Sequence, residues 1–349
     1  MLYKIIPKND LKLFVEGLLN DYKVVGPKKA GKHHVFGDIS NYEDIDLNYN
    51  MTMLPPKKYF LPQRETLFTY SLGNIQEVRE TTKVDTPVII FGLHSCDIKG
   101  IEMLDYVFTN KYIDNYYTER RKKNIIIGID CEPSDTCFCK SMDADQVDRG
   151  FDIFLVNLGD RFLARINTSM GDYLLNIYTK IPYYRYLTSV DDPHKDIAAY
   201  KEKIQEHSEK FVLDVETAEL ADLMDLSYES RVWEDTAKAC FGCGGCSFVC
   251  PTCYCFNVMD DIELTMTQGH RDRQWDSCLL TDFAKVAGGH NFRKDRATRL
   301  KLRYYHKQKG FVEMYGRPAC VGCGRCIIFC PAKINKVEVL KMIVGEVKV

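Results

Sequence analysis

Cysteines in this sequence fall into spacings that could hold iron–sulfur clusters. Fifteen occur in 349 residues, and eleven of them lie beyond residue 239. Two runs share the pattern C-x2-C-x2-C-x3-C-P, which is the spacing of ferredoxins with two [4Fe–4S] clusters. The first run comprises Cys240, Cys243, Cys246 and Cys250, and the second comprises Cys320, Cys323, Cys326 and Cys330.

Each run is expected to share its ligands between the two clusters. Three thiolates on a tight turn hold three corners of a cubane, while the fourth cysteine of the run reaches the other cluster. The predicted ligands of cluster 1 are Cys240, Cys243, Cys246 and Cys330, and those of cluster 2 are Cys320, Cys323, Cys326 and Cys250. A zinc-binding structural module is the alternative, but zinc usually draws its four ligands from separated pairs.

Four further cysteines follow two apolar segments that we expect to be strands, Val88–Leu93 and Asn124–Ile129. In a parallel sheet, both segments would end at the same edge, where open α/β sheets place ligands. The four are Cys96, Cys131, Cys137 and Cys139. They predict a third [4Fe–4S] cluster, with the alternative that they are reduced, partly buried cysteines without a role.

Three cysteines remain outside these sets. Cys253 and Cys255 directly follow the first run, and Cys278 comes after Trp275. They could pack near a cluster and change its potential, replace one of the predicted ligands, or be ordinary core residues. The sequence leaves these alternatives open.

The elements that position these cysteines divide the chain in two. Residues 1–225 are predicted to form an α/β domain, in which a helix over 97–108 connects the two buried strands and a hairpin spans 151–166. Residues 226–349 are predicted to form a mainly helical ferredoxin-like domain that binds two [4Fe–4S] clusters. Its basic stretch, 290–309, could lie against anionic clusters or form a solvated helix face.

Composition narrows the class of protein. A net charge of −2 gives no general attraction to nucleic acid, and no apolar run is long enough to span a membrane. The first residues lack a secretory signal, and many cysteines outside a small secreted protein indicate a reducing compartment, so we expect a cytoplasmic protein. No glycine-rich dinucleotide or nucleoside-triphosphate motif occurs.

Several segments resemble the iron–sulfur electron-transfer subunit of anaerobic sulfite reductase, an outline shared by the β subunit of cytoplasmic nickel–iron hydrogenases (sulfhydrogenases). They lie between about residue 55 and the C-terminus: PPKKYFLPQRETLF, SCDIKGIEMLDYVF, CEPSDTCFCKSM, CFGCGGCSFVCPTCYCF, DRQWDSC, VAGGHNFR and CVGCGRCIIFCP. The QWDSC and AGGHNFR segments favour the sulfite reductase protein over the hydrogenase protein.

The resemblance implies a non-catalytic electron-transfer subunit of an NADH-dependent, three-subunit complex. A partner with FAD would oxidise NADH, this chain would relay the electrons, and a siroheme partner would reduce sulfite to sulfide. The alternative is a hydrogenase β subunit that passes electrons between flavin and nickel–iron partners. The eight cysteines of the two C-terminal runs are the ligands that the resemblance carries over by position.

Overall fold

The strands of this protein form two sheets in the computed structural model, which describes residues 2–72, 74–80, 86–179 and 193–347. In chain order they are β1 (Leu2–Pro7), β2 (Lys23–Ala30), β3 (His33–Asp38), β4 (Arg64–Ser71), β5 (Asn74–Glu80), β6 (Val88–Leu93), β7 (Ile125–Ile129), β8 (Ile153–Asn157), β9 (Arg161–Ile166), β10 (Phe256–Ile262) and β11 (Gln268–Trp275).

The larger sheet has seven strands in the order β1-β9-β8-β7-β6-β2-β3. Its four central strands, β8, β7, β6 and β2, are parallel, and antiparallel strands complete both sides. Every residue of β7 is buried, as expected for a central strand covered on both faces. Strands β6 and β7, with a helix over 95–108 between them, confirm the predicted strand–helix–strand unit. Strands β8 and β9 confirm the predicted hairpin.

Helices cover this sheet and continue into the C-terminal region. They are α1 (Asp10–Asp21), α2 (Ser95–Phe108), α3 (Asn115–Lys123), α4 (Ser169–Tyr178), α5 (Pro193–Glu209), α6 (Leu220–Leu226), α7 (Val232–Ala239), α8 (Gly245–Phe248), α9 (Arg296–Tyr305), α10 (Phe311–Tyr315), α11 (Arg325–Ile328) and α12 (Lys336–Val347). None of the helices in the described ranges is long and apolar enough to cross a bilayer.

Two apolar cores form on the faces of the large sheet. Helix α1 buries Leu11, Phe14, Val15 and Leu18, which share one face at helical spacing, and α4 packs into the same core. Helices α2 and α3 contribute to the core on the other face. Helix α2 follows directly from β6 and thus begins at the carboxyl edge of the parallel strands.

The C-terminal region has a helical core and, in addition, a β-hairpin. Helices α6, α7, α9 and α12 bury their apolar side chains together. Strands β10 and β11 instead join the smaller sheet, whose order is β10-β11-β4-β5. The prediction of a mainly helical second domain missed this hairpin, because strand β11 finds its partner β4 about 200 residues earlier in the sequence.

A buried ion pair joins the two regions at the start of α2. The guanidinium of Arg325, in the second cysteine run, donates to both carboxylate oxygens of Asp97 at 2.7 and 2.8 Å. Its Nε donates to the carbonyl oxygen of Thr52 at 2.9 Å. Both charged side chains are almost completely buried. The pair thus fixes the second cysteine run against the carboxyl edge of the large sheet.

We predict that Asp97→Asn lowers the free energy of unfolding by about 3–5 kcal/mol, because it leaves the Arg325 charge buried without its partner. Asp214→Asn, which breaks the exposed ion pair with Lys341, is the control and should cost less than about 1 kcal/mol. Urea unfolding of both variants under anaerobic conditions measures the difference. Equal losses in the two variants would contradict a structural role for the buried pair.

Candidate iron–sulfur sites

The four N-terminal cysteines meet at the carboxyl edge of the large sheet. Cys96 lies in the first turn of α2, directly after β6, and Cys131 lies two residues beyond the end of β7. Together with Cys137 and Cys139 they line one cavity, which we call site 3. The prediction that the two strands would bring these cysteines to the same edge is confirmed.

Site 3 lies against the second cysteine run. The amide of Phe138 donates to the carbonyl oxygen of Gly322 at 2.8 Å, and the Cys139 Sγ lies 3.3 Å from the same oxygen. The Cys137 Sγ lies 3.7 Å from the carbonyl oxygen of Cys323, whose side chain also lines the cavity. The cysteine loop of the N-terminal region and the ferredoxin-type loop are therefore packed directly on each other.

The first run shares its cavity with two cysteines of the second run. Cys240, Cys243, Cys246 and Cys330 line this cavity, which we call site 1, together with Cys326 and Arg303. Helix α8 begins inside the first run, and the left-handed Gly244 precedes it with a φ of 75°. The tight turn that three neighbouring ligands need is thus present, and Cys326 and Cys330 reach the same cavity from the other run.

The other four cysteines of the two runs, Cys250, Cys320, Cys323 and Cys326, lie between sites 1 and 3 and form what we call site 2. Electrostatic interactions connect the thiol of Cys323 with those of Cys250 and Cys326, and connect Cys326 with Cys320. Cys326 also interacts with Cys246 of site 1, and Cys323 interacts with Cys96 of site 3. The three sites therefore form a row, with site 2 in the middle.

Cations are buried beside these sulfurs. Although burial disfavours its charge, the pKa of Lys307 is raised by the nearby thiols of Cys250 and Cys253. The same balance raises the pKa of Arg303, with Cys246 as its strongest favourable neighbour. Both side chains belong to the basic stretch and are less than 6% exposed, so the alternative of a solvated face does not hold for them.

The thiols of site 3 differ in their acidity. A hydrogen bond from Cys139, with help from Ser134, lowers the pKa of Cys137 to about 6. Burial raises the pKa of Cys131, whose Sγ lies 3.9 Å from the Nε2 of His207. One thiolate is therefore favoured near neutral pH, whereas a bound cation would be needed to deprotonate Cys131.

Polar groups beside the sites fit cubane clusters. Two buried nitrogen atoms, Nε2 of His94 beside site 3 and Nε of Arg303 beside site 1, have no hydrogen-bond partner among the described residues. N–H groups of this kind commonly donate to cluster sulfurs.

The last three cysteines lie beside site 2. The thiols of Cys250 and Cys253 shift each other's pKa, and so do the thiols of Cys255 and Cys278. The ammonium of Lys57 donates to the carbonyl oxygen of Cys253 at 2.6 Å and lies 4.1 Å from the ring centre of Trp275. Burial lowers the pKa of Lys57 to about 8.

Fold and cysteine geometry together define an iron–sulfur protein of the electron-transfer class. Residues 239–334 match the 4Fe-4S dicluster domain family. The chain is 38% identical over 319 residues to the sulfhydrogenase 2 subunit β of Pyrococcus furiosus, and the match covers 91% of each protein. This protein therefore belongs to the family of that subunit.

Sequence reasoning located the cysteines but missed most of the residues that surround them. His94 and Lys57 gave no signal, since His94 follows an apolar strand like any loop residue and Lys57 is one of two adjacent lysines. Arg325 lies inside the second cysteine run. Its charge between two predicted ligands could have identified it as a candidate site residue. Arg303 and Lys307 lay within the basic stretch, where their burial could not be foreseen.

We predict that Gly322→Ala destabilises the contact between sites 2 and 3. The matched control is Gly242→Ala, at the same position of the first run, since the two glycines have φ values of 62° and 67°. A Cβ on Gly322 would collide with the backbone of Phe138, whereas the nearest atom to a Cβ on Gly242 is 3.5 Å away. Both variants carry left-handed strain of about 1–2 kcal/mol.

Gly322→Ala should therefore lose a further ~1–3 kcal/mol in the free energy of unfolding, because its surroundings are overpacked. It should also make Cys139 more reactive to iodoacetamide, as measured by peptide mass spectrometry. Equal stability and equal Cys139 labelling in the two variants would show that the loops do not depend on this contact.

Proposed function

We propose that this protein is the electron-transfer subunit of a soluble, cytoplasmic multisubunit redox complex and holds three [4Fe–4S] clusters. The observation that carries this proposal is the row of three cysteine sets, with site 2 in contact with both others. Each cluster supplies one-electron oxidation and reduction. The protein holds the clusters close together, buries them and positions cations beside them.

The proposed ligands are four thiolates at each site. Site 1 uses Cys240, Cys243, Cys246 and Cys330; site 2 uses Cys320, Cys323, Cys326 and Cys250; site 3 uses Cys96, Cys131, Cys137 and Cys139. Exchange of Cys250 and Cys330 between the two runs ties sites 1 and 2 together. The exposed thiol of Cys243 makes site 1 the one nearest to solvent and a candidate exit or entrance for electrons.

The partners are proposed in two versions. The relative's name, sulfhydrogenase subunit β, favours a hydrogenase-type complex, in which this protein passes electrons between flavin and nickel–iron subunits. The second version is a sulfite reductase complex with a flavin subunit that oxidises NADH and with a siroheme subunit. It is supported by the sequence segments QWDSC and AGGHNFR, at residues 274–278 and 287–293.

Purification of the native complex through a tag on this subunit tests the proposal. Nickel in a stoichiometric amount supports the hydrogenase version, and siroheme absorption supports the sulfite reductase version. In either case, NADH should bleach the visible absorption of the clusters in the complex. A subunit that purifies alone, or clusters that no physiological donor reduces, would contradict the proposal.

We predict that Cys330→Ala releases the cysteines of the first run rather than those of its own run. Anaerobic alkylation followed by peptide mass spectrometry should find Cys240, Cys243 and Cys246 newly reactive, because their cluster has lost its fourth ligand. Cys250→Ala is the matched control and should release Cys320, Cys323 and Cys326. If each variant released its own run instead, the exchange of ligands would be wrong.

A further inference from the structure

Two cysteines outside the three sites form a pair at an open cleft. Cys255 and Cys278 both line this cleft, which has a volume of about 560 Å³, and both are partly exposed. The Cys278 side chain and backbone lower the pKa of the Cys255 thiol, and Cys255 in turn raises the pKa of the Cys278 thiol. The two sulfurs are therefore neighbours, and a small molecule in the cleft can reach them.

The β10–β11 hairpin holds this pair in place. Cys255 immediately precedes β10, and Cys278 follows β11 by three residues. The amide of Asp276 donates to the carbonyl oxygen of Cys255 at 2.9 Å, which extends the pairing of the strands toward the cysteines. The indole of Trp275 donates to the carbonyl oxygen of Leu61 at 3.0 Å and anchors the end of β11.

The lining of the cleft combines aromatic rings with a cation. Its aromatic residues are Tyr254, Phe256, Phe283 and Tyr305. Lys309 pairs with Glu313 at 3.1 Å and also with Asp225, so its charge is offset. Arg293 also lines the cleft and makes no ion pair within the described part of the chain. The cleft therefore suits a small molecule with apolar parts and a negative charge.

We propose that Cys255 and Cys278 are a dithiol–disulfide couple that reduces a small organic disulfide carrying a carboxylate. The proposal rests on the proposed function, because the electrons that restore the dithiol come from the clusters. A thiol pair that meets in an accessible cleft beside an electron relay has the geometry for thiol–disulfide exchange. Neither cysteine is needed to complete any of the three ligand sets.

Cys255 is the attacking residue. Hydrogen bonds from Cys278 lower the pKa of Cys255 to about 6, so that its thiolate is populated at neutral pH. Its sulfur bonds to one sulfur of the substrate, whose S–S bond breaks and releases the first thiolate. Cys278 then gives its proton to water and attacks the Cys255 sulfur, which releases the second thiolate and leaves a Cys255–Cys278 disulfide.

Restoration of the dithiol would take two electrons, which the proposed clusters would supply, and two protons from solvent, so the complete cycle would convert one disulfide into two thiols. A series of sulfur atoms leads from site 2 to the pair. The thiols of Cys250 and Cys253 shift each other's pKa, and Cys253 interacts electrostatically with Cys278. Lys57 and Lys307 are close to both Cys250 and Cys255 and favour negative charge along this route.

The test uses the purified holo-complex, without oxygen, and 5,5′-dithiobis(2-nitrobenzoate) as an anionic disulfide probe. The wild-type protein should rapidly release two equivalents of nitrothiobenzoate and form the internal disulfide, as seen by peptide mass spectrometry. Cys278→Ser should release one equivalent and keep the probe on Cys255, while Cys255→Ser should show no rapid release. Two equivalents from Cys278→Ser, or an unmodified Cys255, would overturn the proposal.

Arg293→Gln tests the choice of substrate. Its reaction with the anionic probe should be at least about fivefold slower, because a charge at the cleft is lost. Its reaction with the neutral 2-hydroxyethyl disulfide should be unchanged. Equal slowing with both probes would mean that Arg293 acts only on the structure of the cleft, and the preference for a carboxylate would be wrong.

Iron content and cluster reduction separate this proposal from the proposed function. The Cys255→Ser/Cys278→Ser double variant should keep the wild-type iron content, and NADH should still bleach its clusters. Loss of iron would show that these cysteines are ligands and would overturn the couple alone. Failure of NADH to bleach the wild-type complex would instead overturn the relay.

Discussion

The structure depends on compensating the negative charge of many sulfur atoms that lie close together away from water. Thiolates in a buried site repel one another and lose their hydration, so each needs a cation or a bound metal nearby. This chain supplies Arg303, Lys307 and Arg325, which are all buried beside the cysteine sites. These buried cations, two of them from the basic stretch before the second run, thus stabilise negative charge at the cysteine sites.

The two regions of the chain are joined at the cysteine sites. The second cysteine run is held between the helical core of the C-terminal region and the carboxyl edge of the large sheet. The ion pair of Arg325 with Asp97 and the backbone contact between Phe138 and Gly322 fix this position. The hairpin of β10 and β11 adds a third connection through its pairing with β4.

Much of the candidate site could be predicted because spacing and strand order are local signals. The two C-x2-C-x2-C-x3-C-P runs indicate cubane ligands directly, and two buried strands were enough to bring Cys96 and Cys131 to one edge. What the sequence could not provide depends on contacts between distant residues. Three contacts are of this kind. Strand β11 pairs with β4, the Lys57 ammonium lies over the Trp275 ring, and Cys255 lies beside Cys278.

Iron and acid-labile sulfide per chain measure the number of clusters that this protein holds. Anaerobically purified protein should contain about twelve of each, because three [4Fe–4S] clusters are proposed. About eight of each would leave site 3 without a cluster and limit the relay to the C-terminal region. In that case the cysteines at the sheet edge would serve the packing of the two regions, and the proposal that they are cluster ligands would be wrong.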